Sequence, residues 1–303
     1  MDQSAGWLDE ASGPPRAHRP FAEPTGSVGC VPSESRRRNI KRSELRDLVL
    51  GAGIDLLLDD GVQCGVDQIT FGRVFERVEE TTGRRVTRAS VYDRLWENQT
   101  AFQWDVLATI VERASPVHER TGARLRAVVR NAELTTADGR RRGLEGICHA
   151  AVDEHVSDAI NDPHNRVVLA AMGAIASSFP DPAEDPPHVA RVRAAVQIYL
   201  DGQRDYYTSL YGDLGYYLGY RLRDPMTLEQ LVLIVHALGD GVAMRSAYST
   251  VYRTPVAVDG RDGGPSEEDL TLLGIAIEAV TFRMCEPDPA WTTTRLTDGP
   301  DIS

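Results

Sequence analysis

Little in this chain points to covalent or metal chemistry. Its 303 residues hold only four cysteines, Cys30, Cys64, Cys148 and Cys285. They lie far apart and form no Cys-x-x-Cys pair, which speaks against a zinc site or a disulfide framework and for buried, reduced thiols. No nucleophile elbow, phosphate-cradling glycine loop or His-Glu-x-x-His motif occurs, so no catalytic residue and no cofactor is assigned. His149 and Asp153 share a helix face, but His155 points elsewhere and no metal site is expected. The longest weakly polar runs, Val167–Phe179 and Leu231–Met244, are too short or too interrupted to span a bilayer. Residues 1–30 lack the apolar stretch of a secretory signal, and a cytoplasmic location is expected. Strand-like alternation of useful length is also missing, as is any internal repeat.

Helical periodicity is what remains. The net charge is −12, which at first disfavours a nucleic-acid partner. Between Arg36 and Asp105, however, 12 basic residues balance 12 acidic ones, so the whole acidic excess lies elsewhere. A neutral segment with clustered arginines can meet phosphates while an acidic remainder keeps the protein soluble. Arg36, Arg37, Arg38, Lys41, Arg42 and Arg46 form the densest cluster. Residues 1–39, with Pro14, Pro15, Pro20, Pro24 and Pro32, read as a disordered tail whose basic end either lies along DNA or merely solvates.

Residues 40–108 read as a compact helical unit. The first helix spans Ser43–Leu58, with Ser43 as its cap, Leu45, Leu48, Val49, Ala52 and Leu56 on one face, and Gly61 beyond its end. The second begins at Thr70, with Ile69 and Val74 as a hydrophobic staple, and ends near Gly83. The third repeats that grammar with Thr87 as cap and Val86 and Val91 as staple, and runs to about Trp96. A fourth starts after Asn98 and turns Phe102, Val106 and Ile110 inward.

Short helices joined by a brief turn have the shape of a helix-turn-helix. A short third helix fits a major groove roughly 12 Å wide, with its leading residues on base edges and its free N–H groups toward phosphate. The DNA-contacting set is expected to be Arg42, Thr70, Arg84, Arg85, Thr87, Arg88, Ala89, Ser90, Tyr92 and Arg94. Arginine suits a guanine edge, serine and threonine a base or a phosphate, alanine a thymine methyl, and Tyr92 a phosphate.

The segment Val86-Thr87-Arg88-Ala89-Ser90-Val91-Tyr92-Asp93-Arg94-Leu95-Trp96 resembles the recognition-helix signature of the tetracycline-repressor (TetR) family of bacterial regulators. Asn98-Gln99-Thr100-Ala101-Phe102 is similar to the start of that family's next helix, and the likeness reaches back through Ile69–Val74 to the first helix. Two departures stand out. The connection Glu79–Arg85 is several residues longer than the family's turn, which either lengthens the second helix or presents Arg84 and Arg85 to the backbone. Gln99 also stands where a phosphate-binding lysine is frequent.

The resemblance implies an all-α fold: an N-terminal three-helix DNA-binding domain, then a C-terminal helical bundle over residues 109–290 that binds a small-molecule effector and forms a homodimer, then a tail at 291–303. It implies a transcription regulator, a repressor more readily than an activator, released from a palindromic double-stranded operator. The same fold without a small-molecule ligand, or an all-helical enzyme, are the alternatives. Ala237–Arg245 resembles the family's penultimate-helix motif.

The residues of the second part can also be taken on their own. Helices are expected over Pro116–Asn131, Arg142–Asn161, Asn165–Phe179, His188–Tyr211, Thr227–Tyr252 and Ser266–Cys285. The last two are apolar on two faces each and must be covered on two sides, either by the same helices of a second copy in a four-helix dimer interface or by a large core within one chain. Leu231, Val235, Leu238 and Val242, with Leu273, Ile277, Val280 and Met284, are assigned to that dimer interface. The second stripes are Ile234, Ala237, Gly241 and Met244, and Leu272, Ile275, Ala276 and Ala279. Seven of the ten tyrosines fall between 199 and 220. Tyr199, Gln203, Tyr206 and Tyr207, with His236 and Asp240 one helical turn apart, are the expected ligand contacts, with plain packing as the alternative.

Overall fold

The face predicted from Leu45, Val49, Ala52 and Leu56 is the buried side of α1 (Arg42–Asp60). A computed structural model describes residues 40–60, 66–92, 94–115, 119–179, 181–246, 270–298 and a few positions between 248 and 256. The predicted tail 1–39, Cys30, Cys64 and the stop signal at Gly61 lie outside the described residues. Ser43 is not the cap. The carbonyl of Lys41 already accepts from the Leu45 N–H, which places Ser43 inside the first turn.

The next elements follow the local rules closely. Thr70 caps α2 (Phe71–Thr82), its hydroxyl accepting from the Arg73 N–H at 3.4 Å. Gly83 ends α2 at φ 66°, a left-handed conformation that suits glycine, and its N–H returns to the Glu79 carbonyl. The extra residues of the connection therefore lengthen α2. α3 (Arg88–Tyr92) is shorter than predicted, because Trp96 leaves the helical path to bury its ring. Asn98 caps α4 (Gln99–Arg113), whose Phe102, Val106 and Ile110 are fully enclosed.

Seven more helices follow: α5 (Glu119–Asn131), α6 (Ala137–Asn161), α7 (Pro163–Ser178), α8 (Pro187–Leu218), α9 (Leu228–Ser246), α10 (Leu272–Met284) and α11 (Arg295–Asp298). Thr227 and Gln230 exchange side-chain and backbone hydrogen bonds in the predicted capping box before α9. α8 runs past the predicted stop at Tyr211 to Gly219, another left-handed glycine at φ 68°. α9 stops at Ser246, short of Tyr252. An unforeseen antiparallel pair joins β1 (Tyr220–Leu222) to β2 (Cys285–Pro287). The fold is thus all-α with one short antiparallel pair of strands, distant in sequence, among the described residues.

The described residues form one compact unit. Helix α4 serves two sides of it. The cluster that holds Phe71, Val74, Val91 and Phe102 continues without a break into Val167 and Ala171 of α7 and Val192 and Val196 of α8. A second cluster joins α5, α6 and α8, and a third joins α6, α9 and α10. α10 approaches α6 closely at Gly274, where a Cβ would collide with the His149 ring. His149 sits there with its Nε2 3.0 Å from the Glu278 carboxylate, both groups buried.

Candidate nucleic-acid interface and internal cavity

Three apolar anchors fix α3. Val86, Val91 and Trp96 are buried, and the Tyr92 ring tilts against Phe71 at 4.8 Å. With those side chains inward, the leading end of α3 faces out, and Thr87, Arg88 and Ala89 are exposed together. Ser90 is half-buried and donates its hydroxyl to the Thr87 carbonyl at 2.6 Å. The Arg88 guanidinium lies 5.1 Å above the Tyr92 ring and donates to its hydroxyl at 3.4 Å. That contact aligns the arginine along the helix while leaving its outer edge available.

The remaining candidates are placed unevenly. Arg42, Arg85 and Arg94 are exposed. Arg84 is exposed but pairs with Glu44 at 2.7 Å, which ties the turn to α1. Thr70 is occupied as a cap. Gln99 turns inward and accepts from the Phe71 N–H at 3.4 Å, so it joins α4 to the start of α2.

A buried carboxylate behind α3 was not foreseen. Asp105, in the middle of α4, accepts from the Trp96 indole N–H at 2.8 Å and from Arg46 of α1 at 2.7 Å. Its other oxygen pairs with Arg191 of α8, which also grips Glu112 at 2.9 Å. One residue thus ties α1, the end of the α3 segment, α4 and α8. The signal in the sequence was a lone acid inside the apolar stretch Phe102–Val111. Gln103 is the parallel case, buried and donating to the Ile69 carbonyl at 3.2 Å.

The expected ligand contacts are mostly core. Tyr199 is buried and donates to Asn165 at 3.4 Å, Gln203 is buried, and the Tyr206 hydroxyl packs onto Gly122. Among the described residues, none of the three lines the apolar cavity among α6, α8, α9 and α10. Tyr207 and His236, their rings 4.6 Å apart, border only a void of about 20 Å³, and half-buried Asp240 borders neither space. Most of the tyrosine run packs in or against the cluster of α5, α6 and α8, while Tyr211 and Tyr220 also line the apolar cavity.

The apolar cavity, of about 240 Å³, lies among α6, α8, α9, α10 and β1. Leu144, Ile147, Leu214, Leu218, Leu228 and Leu231 line it, with Val235 and Ile277 beside them. The dimer assignment is therefore corrected. Leu231, Val235, Leu273, Ile277 and Met284 are buried within this one chain, and Leu238, Val242 and Val280 pack half-buried on the same cluster. From the second stripes, Ile234 at 41% and Met244 at 50% exposure on α9 and Leu272 at 42% on α10 face outward, joined by Leu233 at 57%, which belonged to neither stripe.

Cys148 and Cys285 also border the cavity. Burial pushes the Cys148 thiol up to about 12, against a weaker lowering by its hydrogen bond with Thr281. Burial pushes Cys285 up to about 11, with the Arg223 charge opposing. Both folded values exceed the ordinary thiol value of 9.0. The stability held by these neutral thiols is therefore complete below pH 9 and is lost as pH rises toward their folded values. We expect a loss of about 1.4 kcal/mol per pH unit per thiol in that window. Melting temperatures measured between pH 8 and 11 should fall more shallowly for Cys148→Ala than for the parent chain. Equal slopes would show that this thiol does not govern the alkaline limb.

Among the described residues no group of three His, Cys, Asp or Glu side chains is placed to hold a metal, and no helix is long and apolar enough to cross a membrane. A scan against protein-family models and a search of curated proteins both return no match.

Proposed function

We propose that the chain is a DNA-binding transcription regulator that works as a homodimer on a palindromic duplex, most simply as a repressor released by a small molecule. One observation carries the reading: the leading end of the short α3 presents Thr87, Arg88 and Ala89 outward while Val86, Val91 and Trp96 anchor it from behind. A helix held in that way fits a major groove and offers an arginine fork for a guanine edge. The resemblance of Val86–Trp96 and Asn98–Phe102 to the tetracycline-repressor family supports the same reading. The deciding experiment is selection of bound duplexes from random DNA by the full chain. Recovery of a palindrome with half-sites about one helical turn apart fits the proposal, and recovery of no preferred sequence defeats it.

For the dimer we assign the exposed stripe of α9, Leu233, Ile234 and Met244, together with Leu272 of α10. Burying such side chains in a partner stabilises an interface by about 1.5–3 kcal/mol for each that becomes fully enclosed. The double variant Leu233→Glu/Ile234→Glu should halve the molar mass seen by light scattering and weaken binding to a palindrome far more than to a half-site. An unchanged mass would place the interface elsewhere.

A further inference from the structure

We infer that the cavity between α6, α8, α9 and α10 is a binding site for a neutral, hydrophobic molecule of about ten non-hydrogen atoms. The size follows from comparison: a cavity of about 150 Å³ holds benzene, and this one is about 240 Å³.

The walls decide the chemistry. Among the described residues that line the space there is no carboxylate, so nothing offers a counter-charge to a cation. The one cationic liner, Arg221, is already neutralised by Glu286, which accepts from it at 2.7 and 3.0 Å. An anionic headgroup would have to displace that pair. Apart from two glycines and two cysteines, the rest of the wall is leucine, isoleucine, valine and alanine, with Tyr211, Tyr220 and Thr281 as polar points. Both thiols on the wall are held protonated by burial, so capture of an electrophile through a thiolate is disfavoured. Two features open the space. α8 contributes Gly212 and Gly215 to its wall, one turn apart and without side chains. β1 and the first residue of β2 border it through Leu222 and Cys285.

Those strands are latched from outside. Trp291 donates its indole N–H to the Tyr217 carbonyl at 3.1 Å, lies against Gly219, and is covered by the Arg140 guanidinium at 3.8 Å. β1 and the first residue of β2 thus form part of the cavity wall, and Trp291 packs on the chain that leads into β1.

The inference rests on the regulator reading for its consequence on DNA, but binding itself is independent of it. The test uses three probes with one chain length and different charge: 1-octanol, octanoate and octylammonium. With the full protein and no DNA, isothermal titration should give saturable binding of 1-octanol. Octanoate should bind at least tenfold more weakly and octylammonium not measurably. Ile277→Phe and Leu231→Phe, which place extra volume into the space from two helices, should each abolish 1-octanol binding while circular dichroism stays helical. Failure of wild type to bind 1-octanol, or binding retained in both folded variants, overturns the site. Octanoate binding as tightly as 1-octanol overturns the neutral class. Binding of 1-octanol without any change in affinity for a selected duplex leaves the site standing and removes the small-molecule switch from the proposed function.

Discussion

Arg88→Ala should lower affinity for the preferred duplex by about 5- to 150-fold, the 1–3 kcal/mol carried by a bidentate arginine–guanine contact. The melting temperature should stay where it was. Arg88 is exposed, and its contact with Tyr92 is an exposed cation–π pair worth about 0.5–1 kcal/mol. Nothing buried is uncovered when it is trimmed. Tyr92→Phe keeps the ring on Phe71 and removes only the hydroxyl, so any loss of affinity there reports a phosphate contact or the lost alignment of Arg88 rather than a repacked core. Arg85→Ala and Arg94→Ala form the control. As phosphate contacts they should weaken binding evenly across sequences and reduce the salt slope by about one each. A wild-type affinity for Arg88→Ala, measured by titration into a labelled duplex at fixed salt, would remove α3 from the interface.

The caps were legible because their cause is local. Thr70, Gly83 and Asn98 each satisfy backbone groups within four residues, so the sequence window that contains them contains the whole argument. Val86 and Val91 were legible for the same reason. Inward facing on α9 and α10 was not. Each helix carries two apolar stripes, and hydrophobicity does not say which neighbour reaches which stripe. The chain resolved this by placing Leu231, Val235 and Ile277 around a cavity and leaving Leu233, Ile234 and Met244 outside. β1 and β2 have three residues each and pair across more than sixty positions, too short for alternation to register. Tyr199 and Gln203 misled because an amphipathic face with polar tips fits a core with internal hydrogen bonds as well as a pocket. Asp105 was visible as an oddity, a charge among apolar neighbours, but its partners lie on α1 and α8 and follow only from the tertiary fold.

Asp105 carries the second large expected effect. Its removal leaves the buried Trp96 N–H without its acceptor and leaves two neighbouring guanidinium groups, Arg46 and Arg191, with Glu112, which pairs with Arg191, in place of the carboxylate that bridged them. Burial and the Arg46 charge already hold the Arg191 guanidinium below its ordinary value. Breaking a fully buried pair costs about 3–5 kcal/mol, but both arginines keep more than a third of their side chains in water. The expected loss for Asp105→Ala is therefore lower, about 2–3 kcal/mol in urea unfolding. Arg191→Met should cost less, because Arg46 and Trp96 keep their partner. The cycle of the two changes should show a coupling of about 1 kcal/mol or more. The same contact has a place in the proposed switch. α8 holds Arg191 near one end and the cavity residues Leu214 and Leu218 near the other, about 35 Å apart along a single helix. A ligand that displaces the cavity end of α8 acts on Asp105, and through Trp96 on the seat of α3. Arg191→Met should then bind DNA nearly as wild type does, yet lose most of any release produced by 1-octanol. Release that is undiminished in Arg191→Met would mean that the signal reaches α3 by another route.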